Sequence, residues 1–454
     1  PYNGDYHVDF FGGSLKGIEE KLDYLKSLNV SVIYLNPIFL SPTSHKYNTS
    51  DYLMIDPMYG TINDFRSLIE KAKEKDIYII LDGVFNHTGD DSIYFNKYNH
   101  FDSIGAYQSK SSIFHKWYDF KNFEKDPNDY KSWWGIKTLP SVNQNSNFVS
   151  FITEKDGVIN TWMQEGIKGF RLDVVDEIND KFVSKINKAI KSVDKDSIVI
   201  GEVWEDATNK CAYSKRRQYF NGHELDSVMN YPIKDGIIDY LKNNNLRSLV
   251  IKIRNEINNY HFNNLNLLMN ILGTHDTPRI ITTLSNVNFQ NPNINKLTYR
   301  LDKESLDLAT CKLKMAYMIL YTLPGIPCIY YGDEVAIEGF QDPYCRRSMD
   351  FNKESSIKEL LLKLGEMRKD PLFIDGIYQE ISWDNSVFIY SRSSNKYNYK
   401  YLVIINNNSS DYEYNLETDG YDVTSDAHYS NEKIIVKGNS GKILKIFYCK
   451  KETS

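Results

Sequence analysis

Over roughly the first 370 residues, short aliphatic or β-branched runs alternate with stretches whose apolar residues recur every three or four positions. Such alternation predicts parallel strands joined by helical crossovers, with strands buried on both faces and therefore apolar throughout. The spacing of Ile18, Leu22, Leu25 and Leu28 predicts a helix over Gly17–Leu28, and Val30-Ser-Val-Ile-Tyr-Leu-Asn36 follows it as a buried strand. Further strands are expected at Tyr52–Ile55, Ile77–Gly83, Gly169–Val174, Ile198–Val203, Asp226–Asn230, Leu267–Leu272 and Ile326–Tyr331. With the first they make the set that closes a (β/α)8 TIM barrel.

Between Thr88 and Asn145 the rhythm fails, and Tyr, Asn, Asp and Trp replace it without helical periodicity. A segment of that length predicts an insertion after the third strand, forming a wall over the catalytic end of the barrel. From about Asp375 the pattern changes to short alternating segments such as Ser386-Val-Phe-Ile-Tyr390 and Lys400-Tyr-Leu-Val-Ile-Ile405, separated by Asn, Ser, Gly and Asp turns. This predicts a C-terminal antiparallel β-sandwich. The expected organisation is a first barrel part at 1–87, an inserted domain at 88–145, a second barrel part at 146–374 and the sandwich at 375–454.

The 454 residues carry 54 Lys plus Arg against 60 Asp plus Glu, a net charge of −6 that offers no basic surface to a polyanion and excludes nucleic acid as a partner. Aromatic residues make up 14%, a surplus suited to stacking on sugar faces but equally to an Asn-rich, compositionally biased gene. The cysteines, Cys211, Cys311, Cys328, Cys345 and Cys449, are scattered and odd in number, without a paired spacing, which argues against a zinc site or a disulfide framework. They favour a reducing, cytoplasmic compartment; the alternative is export by a signal peptide already removed. No apolar run reaches the ~18 residues that a membrane span needs. Pro1 opens the chain without an initiator Met or a basic-then-apolar leader, so the expectation is a soluble protein, not a membrane one, whose numbering begins inside a longer gene product.

In a barrel of this kind, polar residues at the C-terminal ends of strands face the site, whereas polar residues within the strands would go unsatisfied in the core. Asp82 ends the apolar run Ile79-Ile-Leu-Asp82 and is followed by Asn86 and His87; a helix cap and a satisfied loop histidine are the alternative reading. In Gly169-Phe-Arg-Leu-Asp173 the two-residue period sends Arg171 and Asp173 to one side, where the guanidinium would keep the carboxylate ionised, as a nucleophile requires. A structural ion pair would use the same residues. Glu202 ends Ile198-Val-Ile-Gly-Glu202, and its apolar flanks are expected to raise its pKa toward that of a general acid. His275 and Asp276 follow a later strand. Several carboxylates at the mouth of one barrel cost stability without structural return, which makes the set a functional candidate.

The motifs Asp82-Gly-Val-Phe-Asn-His87, Gly169-Phe-Arg-Leu-Asp173, Gly201-Glu-Val-Trp204 and Thr274-His-Asp276 occur in order on the expected strands, and through them nearly the whole chain resembles glycoside hydrolase family 13, the α-amylase family. The insertion resembles that family's second domain and the sandwich its third. The resemblance implies that Asp173 is the nucleophile, that Glu202 is the acid and base, and that Asp276 binds sugar hydroxyls and distorts the ring. Carboxyls roughly 5 to 5.5 Å apart would give retention at the anomeric carbon. It further implies that Arg171 orients Asp173, that His87 and His275 bind hydroxyls at the cleavage point, and that Tyr47 stacks under that sugar, a core aromatic being the alternative for Tyr47. Asp342 and Arg346 resemble a pair that grips a sugar on the non-reducing side, unless they are a surface ion pair. Trp204 and Glu177 would line the reducing side, with Asp82 and Asn86 as supports.

Phe10-Phe-Gly-Gly-Ser-Leu-Lys-Gly-Ile18, Leu139-Pro-Ser-Val-Asn143 and Asp342-Pro-Tyr-Cys-Arg346 look most like the neopullulanase, cyclomaltodextrinase and maltogenic amylase group, or the related amylopullulanase catalytic modules. The substrate implied is an α-1,4-glucan, with α-1,6 cleavage and glycosyl transfer as alternatives within the family and an inactive glycan-binding relative outside it. Asn48 stands where the subgroup usually has Asp. Glu205 and Asp206 follow Trp204 where cyclomaltodextrinases carry His-Asp, and the long stretch Asn209–Glu224 points to the amylopullulanase side. Catalysis is expected to need no cofactor. Gly12-Gly-Ser14 resembles a calcium-binding loop with Ser14 in place of an Asp, so a structural calcium there would lack one hard ligand. A monomer is expected for this stretch of chain.

Overall fold

The computed structural model describes residues 8–447; Pro1 and Cys449 lie outside the described residues. The chain divides into two compact units, Pro1–Met229 and Asn230–Ser454.

In the first unit, Ser14 caps the opening helix, its Oγ accepting from Gly17 N at 3.0 Å. The helix expected over Gly17–Leu28 is interrupted: Leu15–Glu20 and Leu22–Ser27 meet at Lys21, whose N–H turns to Ile18 O at 2.9 Å in a tightened turn. Five parallel strands then lie side by side in chain order: β1 (Val32–Tyr34), β4 (Tyr78–Gly83), β5 (Gly169–Leu172), β6 (Ile198–Gly201) and β9 (Ser227–Asn230). Register is direct, with Asp82 beside Arg171 and Arg171 beside Ile200. β4 and β5 are buried almost throughout, as their unbroken apolar runs require.

The intervening strands form short antiparallel pairs. β2 (Phe39–Leu40) pairs with β3 (Asp51–Ile55), and β7 (Cys211–Ala212) with β8 (Lys215–Arg216). The expectation that Tyr52–Ile55 is a parallel barrel strand is therefore corrected. Leu53 and Met54 are exposed, so the segment cannot be buried on both faces as the parallel strands are. Residues 84–147 hold only single turns of 3-10 helix and isolated bridges, among them His87 with Ser141 and Tyr118 with Val142. Tyr52 ties this stretch to the core: its hydroxyl donates to Val84 O at 2.7 Å and His87 O at 3.0 Å, and its ring meets Phe39, Phe85, Tyr94 and Phe148. Helices Ile62–Glu74, Val158–Gln164 and Asp180–Val193 carry the buried stripes Phe65/Leu68/Ala72, Val158/Ile159/Trp162 and Phe182/Ile186/Ile190.

In the second unit, β10 (Met269–Asn270) and β11 (Ile326–Pro327) run parallel and are shorter than the apolar runs that predicted them. Asn270 is buried within β10 and satisfied on both sides, accepting from Asn230 Nδ2 at 2.8 Å and donating to Pro324 O at 2.8 Å. The C-terminal strands are β12 (Ile377–Asp384), β13 (Val387–Ser393), β14 (Tyr399–Asn406), β15 (Tyr412–Asn415), β16 (Gly420–Asp422), β17 (Ala427–Tyr429), β18 (Lys433–Val436) and β19 (Ser440–Phe447). They form a six-stranded sheet, ordered β12-β13-β14-β19-β16-β17, and the pair β15-β18. Between them lies a core of Val387, Ile389, Leu402, Ile404, Ile434, Val436 and Leu444. Arg392 fastens this domain to its neighbours through Thr322 O at 2.9 Å and Gly376 O at 2.7 Å. Among the described residues the cysteines are free thiols, and no helix is long and apolar enough to cross a membrane.

Candidate active site

The strand ends of the first unit converge on one guanidinium. Arg171 is 0 % exposed, and β5 holds it where a lone buried cation would be prohibitively costly. Its Nη1 donates to Asp82 Oδ1 at 3.0 Å and Oδ2 at 3.1 Å, and to Asp173 Oδ1 at 2.8 Å. Its Nη2 stands 3.0 Å from Glu202 Oε2. Three carboxyls from the ends of β4, β5 and β6 thus share one positive charge. Nη1 does so through hydrogen bonds, whereas Nη2 meets Glu202 as an ion pair without a hydrogen bond of good geometry.

Asp173 and Glu202 are 6 % and 5 % exposed, so both are desolvated yet reachable. Burial pushes the Asp173 carboxyl well above the ordinary range; Arg171 works against that, while the charges of Glu202 and Asp82 reinforce it. Burial also raises Asp82, opposed by Arg171 and by hydrogen bonds from Tyr34 and Tyr47. With three acids against one guanidinium, the cluster has strong reason to retain a proton. Asp82 Oδ2 accepts from the hydroxyls of Tyr34 at 2.5 Å and Tyr47 at 2.8 Å, so of the three it has the densest set of donors.

The environment of Glu202 is less apolar than its flanking residues suggested. Oε2 accepts the Val174 N–H at 2.9 Å, and Oε1 accepts from Trp204 Nε1 at 3.2 Å. Val174 presents that N–H from a left-handed conformation, φ 39 and ψ 50, which a β-branched residue adopts only under tertiary constraint. Strain therefore sits immediately after Asp173, where it aims a donor at the second carboxyl.

His87 is buried, and burial holds its imidazole down at about 4, so it is neutral at ordinary pH. Its ring stacks on Trp133 at 5.4 Å, and Nε2 has no hydrogen-bond partner. Asn86 supports it from Nδ2 at 3.4 Å to His87 Nδ1, and holds the insertion by accepting the Val142 N–H on its carbonyl at 3.0 Å. Asn48 has a physical reason to differ from Asp: its Nδ2 donates to Thr138 O at 3.2 Å, which a carboxylate could not do. Glu177 accepts from Trp134 Nε1 at 3.2 Å and from the Tyr213 hydroxyl. Trp204 is 46 % exposed beside Glu202.

The second unit gathers the remaining candidates. His275 Nε2 lies 3.1 Å from Asp276 Oδ2, and Arg346 Nη2 lies 3.5 Å from Asp276 Oδ1. Arg346 Nε donates to His275 O at 3.0 Å and stands 3.0 Å from Asp342 Oδ1. The Asp342–Arg346 pair is therefore more than an i, i+4 surface contact, since it reaches Asp276. Arg279 Nε braces the same loop through Cys345 O at 2.6 Å.

Sequence reasoning did not single out Tyr34, Trp133, Trp134 or Tyr213 as site residues. Tyr34 carried a usable signal, a polar aromatic at the end of β1. The other three lie in irregular segments where periodicity is silent. The Gly12–Ser14 loop does not suit a carboxylate-built calcium site: the Ser14 hydroxyl is engaged as a helix cap. Among the described residues no group of three or more His, Cys, Asp or Glu side chains is arranged to hold a metal ion.

The alpha amylase catalytic-domain model matches residues 3–388. An amylopullulanase of Thermoanaerobacterium saccharolyticum is 35% identical over 465 residues, covering 92% of this chain and 35% of that protein. A maltogenic alpha-amylase of Bacillus acidopullulyticus is 30% identical over 455 residues, covering 96% of this chain and 70% of its own length. The chain spans about a third or less of the amylopullulanases it matches. Among solved structures, the ligand-free cyclic alpha-maltosyl-(1→6)-maltose hydrolase of Arthrobacter globiformis superposes with a TM-score of 0.81 at 24% identity, over 97% of this chain and 91% of that one. These likenesses show the fold class expected from the sequence, a (β/α)8 TIM barrel with an inserted domain and a β-rich C-terminal domain.

Proposed function

The chain belongs to the α-amylase family of glycoside hydrolases, and from that premise we propose that it is a retaining hydrolase of α-1,4-linked glucans, of the amylopullulanase and neopullulanase kind. The observation that carries the reading is the attachment of Asp173 and Glu202 to the two terminal nitrogens of the Arg171 guanidinium. Two buried carboxyls from neighbouring strand ends are thereby held beside one buried cation.

Asp173 attacks the anomeric carbon while Glu202 delivers its proton to the departing glycosidic oxygen. The bond to the leaving sugar breaks as the carboxylate–carbon bond forms, giving a covalent glycosyl-enzyme. Glu202, now a base, takes a proton from water, whose oxygen displaces Asp173 and restores both groups. Arg171 opposes the burial that disfavours the Asp173 anion, and so favours that anion both before attack and on departure. Neutral His87 offers Nε2 to a sugar hydroxyl, and Tyr47, fixed by Asp82, gives its ring face to the same sugar. By the family resemblance Asp276 binds sugar hydroxyls more tightly in the flattened oxocarbenium-like geometry than in the ground state. No step needs a metal or cofactor.

Product chromatography after incubation with soluble starch, pullulan and β-cyclodextrin tests the reading. Panose from pullulan marks neopullulanase action, maltotriose marks α-1,6 cleavage, and preference for the ring marks a cyclomaltodextrinase. No cleavage of any of them rejects the substrate class. Asp173→Asn and Glu202→Gln are each expected to cost at least about a thousandfold in kcat with the fold intact.

A further inference from the structure

The antiparallel pair β2–β3, which stands outside the parallel sheet, carries a buried ionic clasp. The side chains of Lys46 and Asp56 are 1 % and 3 % exposed, with Nζ 2.5 Å from Oδ2. Lys46 Nζ also donates to Ser41 O at 3.0 Å, and Ser41 N donates to Asp56 Oδ2 at 3.1 Å. Both backbone groups of Ser41 are therefore tied to one ion pair, which closes residues 41–46 into a loop between the two strands. Asp56 is itself fixed: its N–H donates to Ile38 O at 2.9 Å, and its Oδ1 accepts the Met58 N–H at 2.9 Å. The rings of Phe10 and Tyr59 complete the enclosure, their centroids 4.2 and 5.5 Å from Lys46 Nζ.

The residue this loop delivers is Tyr47. Its N–H donates to His45 Nδ1 at 3.1 Å, its ring lies against His45 at 6.0 Å and 25°, and its hydroxyl donates to Asp82 Oδ2 at 2.8 Å. Lys46, one position earlier, has a left-handed backbone, φ 64, an uncommon state outside glycine that persists where contacts enforce it. The enforcing contact is the clasp, because consecutive side chains run to different carboxylates, Lys46 to Asp56 and Tyr47 to Asp82. Burial draws the Lys46 ammonium down, and Asp56 opposes this. Stability alone is a weak reason for such a pair, since apolar residues of equal volume commonly serve a core as well or better. A fixed geometry is the stronger reason.

We propose that Lys46 is a positioning residue for the glucan reaction: with Asp56 it sets the place of the Tyr47 ring, and through that ring the seating of the sugar at the cleavage point. This rests on the function proposed above and adds to it a residue that acts from outside the carboxyl cluster. Holding the ring in advance spares the substrate the cost of ordering it. Reacting groups tolerate little misplacement, since an error of about 1 Å can cost roughly a hundredfold in rate.

The test is a double-mutant cycle on kcat/KM for maltoheptaose. Lys46→Met, which keeps the stem and removes the ammonium, is expected to lower it roughly tenfold in the wild-type chain. In a Tyr47→Ala background, where no ring is left to place, the same change should cost less than about twofold. Equal losses in both backgrounds, or none in either, would overturn the proposal, because a lysine that only stabilised the fold would act with or without the ring. Lys46→Met orphans the buried Asp56 carboxylate, so Lys46→Met/Asp56→Asn, which removes both charges, serves where the single variant folds poorly. Recovery of the melting temperature without recovery of kcat/KM supports the proposal; recovery of both sinks it. Calorimetric titration of maltoheptaose in a Glu202→Gln background, which suppresses turnover, repeats the cycle on affinity. Should the wild type bind maltoheptaose without cleaving it, the catalytic reading falls, while a coupled cycle in affinity still supports Lys46 as the residue that places the ring. An additive cycle, or no binding at all, sinks the positioning role too.

Discussion

Replacing Arg171 by Met removes the one cation that three buried carboxyls share, while keeping an unbranched side chain that fills most of the space of the arginine stem. Arg171 lies within 3.1 Å of Asp82, Asp173 and Glu202 oxygens. Two unit charges ~4 Å apart interact by about 4 kcal/mol at an effective dielectric constant of 20, equivalent to about 3 pH units on one carboxyl. Screening by the other carboxyls and structural relaxation reduce this, and an upward move of one to two units is expected for Asp173. The sign follows from the cause: burial already holds Asp173 above its ordinary value and Arg171 opposes that, so its loss raises the group further. The acidic limb of kcat/KM for 4-nitrophenyl α-maltoside, recorded between pH 4 and 9, should move to higher pH. At neutral pH the variant should also lose about 3–5 kcal/mol of stability, the cost of orphaning buried charges. Since Asp82 and Asp173 bind protons more tightly folded than unfolded, that deficit should shrink as pH falls and grow as pH rises through their folded values. A variant with wild-type stability and an unmoved acidic limb would refute the shared-cation account.

Other expectations are independent of that network. Burial holds His87 at about 4, below the usual value near 6.5, so its NMR ring signals should not titrate between pH 5 and 8; a midpoint near 6.5 would contradict the burial. Because the unfolded chain binds this proton more tightly, stability should rise with pH between about 4 and 6.5 from this group and be flat above. Gly169 sits at φ +139, and a Cβ there would meet Ile198 O at 1.9 Å, so Gly169→Ala should prevent soluble expression or lower the melting temperature sharply, by the several kcal/mol (about 3 or more) of a core clash. A tolerated Ala would mean that β5 and β6 are spaced differently. Treatment with EDTA should leave melting temperature and starch hydrolysis unchanged; loss of either would reveal a metal held by groups other than clustered carboxylates.

Local pattern was enough to pick out the charged residues that the structure gathers around Arg171. Asp82, Asp173 and Glu202 are legible because each interrupts an apolar run at its C-terminal end, and Arg171 because strand geometry places it two residues from Asp173. The β-rich C-terminal domain is legible from two-residue alternation. These features depend on neighbours a few positions apart, and burial of a strand on both faces leaves few ways to satisfy a charge at its end.

Relations across long separations were decided by the tertiary structure. Tyr52–Ile55 has the composition of a barrel strand, but its antiparallel pairing with Phe39–Leu40 and the exposure of Leu53 and Met54 are set by the folded chain. That Arg171 serves three acids rather than one follows from the alignment of β4, β5 and β6, spread over some 120 residues. Trp134 and Tyr213 are anonymous in sequence, since irregular loops have no period to read; only the folded chain brings both to Glu177. The strained φ of Val174, Trp134 and Tyr213 is likewise invisible in residue type, because a conformation unfavourable for the isolated residue exists only when the surrounding contacts repay it.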